Sequence, residues 1–202
     1  MRNRSLKLSF TVDQSPKEVF KAINNVRGWW AEGLVGTSDR VGASFTYQHK
    51  DLHISTQKVR EIVPDKKVIW HVSYSQFPLF KNKSEWDDTE IVFEIEKRGD
   101  RTEVTFTHVG LVPTLECFED CKSGWSYFFG DSLKQLITTG KGDPNPKEHA
   151  DSRKYPILRQ ARSAAPSHNL TANVERLLAL ESVGNARPRA IERSATRGRL
   201  RW

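Results

Sequence analysis

The chain has 202 residues, 28% of them charged and 37% hydrophobic, and carries a formal net charge of +7. That length supports one domain with a sizeable core, but the charge is uneven. Residues 1–146 hold as many acidic as basic side chains, so the whole excess lies in residues 147–202. This removes the electrostatic case for nucleic-acid binding by the core-forming part.

No run reaches the roughly 18 apolar residues of a membrane-spanning helix. The opening MRNRSLKLSF has no apolar segment of the signal-peptide kind, so a cytoplasmic protein is the expectation. The two cysteines, Cys117 and Cys121, stand one helical turn apart, a poor geometry for a disulfide, so no disulfide scaffold is expected.

In chain order, Leu6, Leu8, Phe10 and Val12 alternate along a first strand. Ser15-Pro16-Lys17-Glu18 then supplies an N-cap, a proline at the first helical position and a glutamate three residues after the cap. Val19, Phe20 and Ile23 form that helix's apolar face. Val26 to Trp30 reads as a short second helix or turn whose two adjacent tryptophans point different ways, at least one of them inward. Strands follow at about 44–49, 54–63, 67–75, 89–97 and 102–109, with short Pro64-Asp65-Lys66 and Arg98-Gly99-Asp100-Arg101 links. Val68, Trp70, Val72 and Tyr74 are assigned to one face, as are Ile91, Phe93 and Ile95.

The stretch TEVTFTHVGLVPTLECFEDCKSGWSYFFGDSLKQLITTGKG is the most informative. An alternating strand with Val104, Phe106 and His108 on one face passes a Gly110/Pro113 break into one long helix. On that helix Cys117, Cys121, Trp125, Phe128, Ser132 and Leu136 recur at three- and four-residue intervals, widened by Phe129, Leu133 and Ile137. Gly124 and Gly130 each cost it about 1 kcal/mol relative to alanine. They are tolerable if the backbone approaches the sheet or the helix bends there. The predicted order is β-α-α-β-β-β-β-β-α: an α+β fold with a curved antiparallel sheet wrapped around a long C-terminal helix.

This order, with SPKEVF, the Trp29-Trp30 pair, VREIVPDKKVIW, and TEVTFTHVGLVP followed by the Cys, Gly-Trp and LITTGKG positions, resembles the SRPBCC superfamily. That superfamily has the START-like, Bet v 1-like helix-grip fold. Within it the chain resembles the branch of the activator of Hsp90 ATPase homologue 1-like (AHSA1-like) domain, over roughly residues 5–145. The resemblance implies a hydrophobic cavity between sheet and last helix that takes an apolar or aromatic small molecule. It also implies, from the family name, a Hsp90-type chaperone partner or a stress-response role. It calls for no cofactor and no metal.

Candidate cavity residues are Trp30, Tyr47, Trp70, Tyr74, Phe93, His108, Cys121, Trp125 and Phe128, drawn from an aromatic set that includes Phe77 and Trp86. Rings with a polar handle suit a partly polar ligand, though aromatics at core periodicity equally build core. His108 is the one ionisable side chain on the inward strand face. It is either a hydrogen-bonded core histidine or, in a cyclase- or dehydratase-like enzyme using the same cavity, a proton-transfer group, with Tyr74 as the other candidate. Binding without catalysis is the favoured expectation. The Cys pair lacks the further ligands zinc needs and reads as two small apolar side chains under the helix. Glu85, Asp87 and Asp88 read as a solvated loop.

The domain is placed at residues 1–146 and an Arg-rich extension at 147–202, with one helix over 169–183 and a disordered cationic end. Only that extension offers nucleic acid or anionic lipid a contact, weak and charge-based.

Overall fold

The computed structural model describes residues 5–147. The helix expected over 169–183 and the basic end lie outside the described residues.

Seven antiparallel strands form one open sheet: β1 (Leu6–Val12), β2 (Val35–Gly36), β3 (Ser44–His49), β4 (His53–Val63), β5 (Lys67–Gln76), β6 (Glu90–Arg98) and β7 (Arg101–Val109). Their order is β1-β7-β6-β5-β4-β3-β2, a meander closed at one edge by the first strand. The two-residue β2 escaped the sequence because it is too short to show a period. Helix α1 (Pro16–Asn24) starts where expected, with Ser15 Oγ accepting from the Glu18 N–H at 3.3 Å and the Glu18 carboxylate accepting from the Ser15 N–H at 2.8 Å. The short helix or turn expected next is a single 3₁₀ turn, Val26–Gly28.

Both tryptophans after that turn point inward. Trp29 and Trp30 are buried and lie near-parallel to Trp70, with ring centroids 6.1 to 6.3 Å apart. Phe93 and Phe45 meet Trp70 edge-on at 4.8 and 5.0 Å. Burying one such ring removes about 150–250 Å² from water, about 4–6 kcal/mol before the entropy of ordering it. The middle of the concave face is therefore filled by the protein's own rings.

The last helix, α2, runs 22 residues. It is α-helical over Phe118–Trp125, π-helical over Ser126–Leu133 and α-helical again over Lys134–Thr139. The wider π turns change which residues face the sheet. Of the predicted stripe, Cys117, Trp125, Phe129, Ser132, Leu133 and Ile137 are buried, while Cys121, Phe128 and Leu136 are only half-buried. Gly140 ends the helix in the left-handed region, its N–H donating to the Leu136 carbonyl.

Beyond it, the chain folds back. Asn145 bridges to Ala31 in parallel, its N–H donating to the Trp30 carbonyl at 2.9 Å and its own carbonyl accepting from the Glu32 N–H at 2.9 Å. Ser132 fastens this return: its hydroxyl donates to the Trp29 carbonyl (2.7 Å) and accepts from the Asp143 N–H (2.8 Å).

Candidate functional site

Two bulges interrupt the β4–β5 ladder. Ser73 is an extra residue on β5 between the pairs Val72–Gln57 and Tyr74–Thr56, and Arg60 is an extra residue on β4 between Val59–Trp70 and Glu61–Ile69. Past Ser73 the alternation of β5 inverts. Tyr74 turns to the outer face, half-buried, with its hydroxyl donating to Gln76 Oε1 at 2.8 Å, and Ser75 and Phe77 turn inward. The shared face assigned to Trp70 and Tyr74 is thus corrected by one inserted residue, since a slip of one flips every later side chain.

At this end of the sheet, away from the filled centre, lies a cavity of about 430 Å³. Its floor is Tyr47, His49 and His53 from the β3–β4 hairpin. Trp30 forms one side, Phe77, Phe80 and Trp86 of the β5–β6 loop form a second, and Cys121, Gly124, Trp125 and Phe128 of α2 form the roof, with Asn145 at the back. Leu52 and Leu79, both exposed, stand at the mouth. Ring packing builds the wall: Trp30 stacks on Tyr47 (4.8 Å), Trp86 on Trp125 (5.8 Å) and His53 on Phe77 (4.4 Å).

Among the residues named from sequence, Trp30, Tyr47, Cys121, Trp125 and Phe128 line this cavity. Trp70 and Phe93 lie fully buried in the filled centre, Tyr74 is on the outer face, and His108 sits behind the wall. His49, His53, Trp86 and Asn145 line it too but were not among the named candidates. His49 and His53 end β3 and begin β4 at the hairpin, where strand alternation no longer assigns a face, Trp86 sits in an acidic loop, and Asn145 follows the helix in a Gly/Pro segment. Parity reading after a correctly placed bulge would have turned Phe77 inward; nothing local signals Asn145.

His108 has both ring nitrogens occupied. An indole N–H can only donate, so the 3.1 Å contact from Trp125 Nε1 fixes His108 Nδ1 as the bare nitrogen. Nε2 then carries the proton and donates to Thr89 Oγ1 at 2.9 Å, and the Thr89 hydroxyl donates to the Trp86 carbonyl at 2.6 Å. The chain ties α2, β7 and the β5–β6 loop together. Burial pushes the His108 pKa down to about 3, so the ring is neutral at ordinary pH. Its role is to hold Trp125 and the Trp86 loop in place, leaving no free lone pair for proton transfer.

His53 differs. Its pKa is also pushed down to about 3, by burial first and then by His49 and His108. His53 lines the cavity and is partly exposed, so the depression is weaker than for the fully buried His108. Its Nε2 is buried without a hydrogen-bond partner, as is Trp86 Nε1.

The acidic loop is not simply solvated. Glu85 is buried, and its carboxylate accepts the N–H groups of Glu116 (2.9 Å) and Cys117 (2.8 Å), capping the start of α2. Asp87 accepts from the Ser75 hydroxyl at 2.8 Å. The Cys117 thiol is pushed up by its hydrogen bond with Cys121, by burial and by Glu85, so it stays a protonated, weakly nucleophilic group. Among the described residues no cluster of three or more His, Cys, Asp or Glu could hold a metal, and no helix is long and apolar enough to cross a membrane.

An open antiparallel sheet gripping a long C-terminal helix, with a cavity left at one end, defines the helix-grip, SRPBCC class. The chain belongs to the family of activator of Hsp90 ATPase homolog 1-like proteins, whose family model matches residues 13–138. Similar solved structures include the Aha1 dimer from Colwellia psychrerythraea, at 26% identity over 70% of this chain and 100% of that one, with a TM-score of 0.56. The protein MLL2253 from Mesorhizobium loti is 17% identical over 66% of this chain and 96% of that one, with a TM-score of 0.52. DynU16, a putative protein in the dynemicin biosynthetic locus, is 19% identical over 68% of this chain and 48% of that one, with a TM-score of 0.51. A search of curated proteins found no match.

Proposed function

We propose that this domain binds an apolar, aromatic small molecule in the cavity between the β3–β4 hairpin, the β5–β6 loop and α2. Gly124 carries the reading. It sits inside α2, where glycine costs about 1 kcal/mol relative to alanine, and a Cβ built on it would meet nothing within 4 Å. No close backbone approach requires the glycine. Its missing side chain instead leaves space in the cavity roof, and a helix that accepts this cost keeps the cavity open. The volume lies within the roughly 300–1,000 Å³ range of small-molecule sites.

Native mass spectrometry of the purified full chain tests this. A small apolar adduct released on denaturation supports the reading. An unliganded protein whose melting temperature is unmoved by a panel of aromatic compounds contradicts it. Family membership favours a second reading, a chaperone partner, and stimulation of a Hsp90 ATPase by the purified protein is its test.

A further inference from the structure

The apolar lining of the cavity does not stop at its mouth. Leu52 of the β3–β4 turn and Leu79 of the β5–β6 loop stand there with 43% and 77% of their surface exposed. Phe80 and Phe128, both half-buried, continue the patch inward. Apolar side chains scattered singly in water are ordinary, whereas a continuous patch leading into a cavity marks a docking surface.

The chain leaves the domain beside this patch. Asn145 lines the cavity, its side-chain N–H donating to the Tyr47 hydroxyl at 2.8 Å. At the end of the described residues the Lys147 N–H donates to the Glu32 carboxylate at 3.3 Å. Residues 148–154, EHADSRK, offer no apolar side chain larger than alanine. Tyr155, Ile157 and Leu158 come directly after them. Tyr155 is eight residues beyond Lys147, a stretch that reaches up to roughly 28 Å, about the width of a small domain.

Three properties of residues 155–158 fit the mouth. An apolar cavity of roughly 150 Å³ takes one benzene, so this one, at about 430 Å³, has room for roughly three groups of that size. Pro156 brings no N–H to bury and biases the residue before it toward extended backbone, which lowers the entropy lost on docking. Asp120 is the only Asp, Glu, Lys or Arg that lines the cavity, and the segment carries Arg153 and Lys154 before it and Arg159 after it.

Resting on the binding reading above, we infer that residues 155–158 of the same chain dock in the cavity mouth and compete there with the small molecule. Tethering makes a weak contact sufficient. A short linker gives an effective concentration on the order of 1 mM, so a segment with an intrinsic Kd of about 0.1 mM is seated roughly nine-tenths of the time. The small molecule then meets an open cavity in about one chain in ten, and its apparent affinity falls about tenfold.

Fluorescence titration with N-phenyl-1-naphthylamine, a neutral aromatic probe, compares the native full chain with a full-length variant carrying Tyr155→Ser, Ile157→Ser and Leu158→Ser. The variant should bind the probe about tenfold more tightly. A benzophenone photo-crosslinker in place of Ile157 should join, within one chain, to peptides that carry Leu52, Leu79 or Phe128. Equal probe affinity in the two proteins, or crosslinks that miss those peptides or join two chains, overturn the inference and leave the cavity reading standing. Failure of the probe to bind either protein overturns both.

Discussion

Acid should destabilise this domain well above the pH at which carboxylates titrate. His53 and His108 have folded-state pKa values of about 3 against an ordinary 6.5. A histidine depressed in the folded state leaves stability untouched above 6.5. Below that pH the unfolded chain takes up protons the folded chain refuses, and stability falls until about pH 3. Each group contributes up to about 1.4 kcal/mol per pH unit. Between pH 6.5 and 5 that is about 2 kcal/mol for the fully buried His108 and less for the partly exposed His53, together a large part of a typical 5–15 kcal/mol. Urea titrations at pH 7, 6 and 5, followed by tryptophan fluorescence, measure it. His108→Gln keeps an amide that can accept from Trp125 and donate to Thr89. It should remove at least half of the fall, and adding His53→Phe should remove nearly all of it. Equal slopes for the native chain and the double variant would refute the assignment.

Three substitutions probe the frame around the site. Gly142→Ala places a Cβ 2.3 Å from the Gly28 carbonyl and 3.0 Å from that of Ser132. It should cost about 1–3 kcal/mol and lower the melting temperature, read by calorimetry. Gly130→Ala meets nothing within 4 Å. It should act in the opposite direction, stabilising by up to about 1 kcal/mol, and a fall in melting temperature would contradict the open surroundings. Glu85→Ala strips two N–H groups at the start of α2 of their acceptor. It should destabilise by about 1–3 kcal/mol, with faster amide exchange at Glu116 and Cys117.

The strands, the capping box and the long last helix were legible because each writes a period or a cap into the sequence. Six of the seven strands lay in that pattern, and β2 was too short for one. The site was only partly legible, for three physical reasons. The extra Ser73 inverted the face of β5, turning Tyr74 outward and Phe77 inward. The predicted stripe of α2 held both Phe128 and Phe129, and only the π-helical middle decides that Phe129 is buried in the core while Phe128 borders the cavity. Centre-sheet positions such as Trp70 and Phe93 looked like cavity walls, but Trp29 and Trp30 fill the space in front of them, which only the tertiary arrangement reveals. His108 was read both as a core histidine and as an acid-base group. The donor-only indole of Trp125 decides for the former, and no local pattern announces that contact.

The central claim is that the space beneath Gly124 is a binding cavity, and filling it is the most direct test. Gly124→Leu puts a side chain into open space and improves helix propensity by about 1 kcal/mol. Calorimetric titration with a fused-ring aromatic compound should show one site per chain in the native protein and none in the variant, with the variant's melting temperature equal or higher. Undiminished binding in a folded Gly124→Leu protein would place the ligand elsewhere and contradict the account.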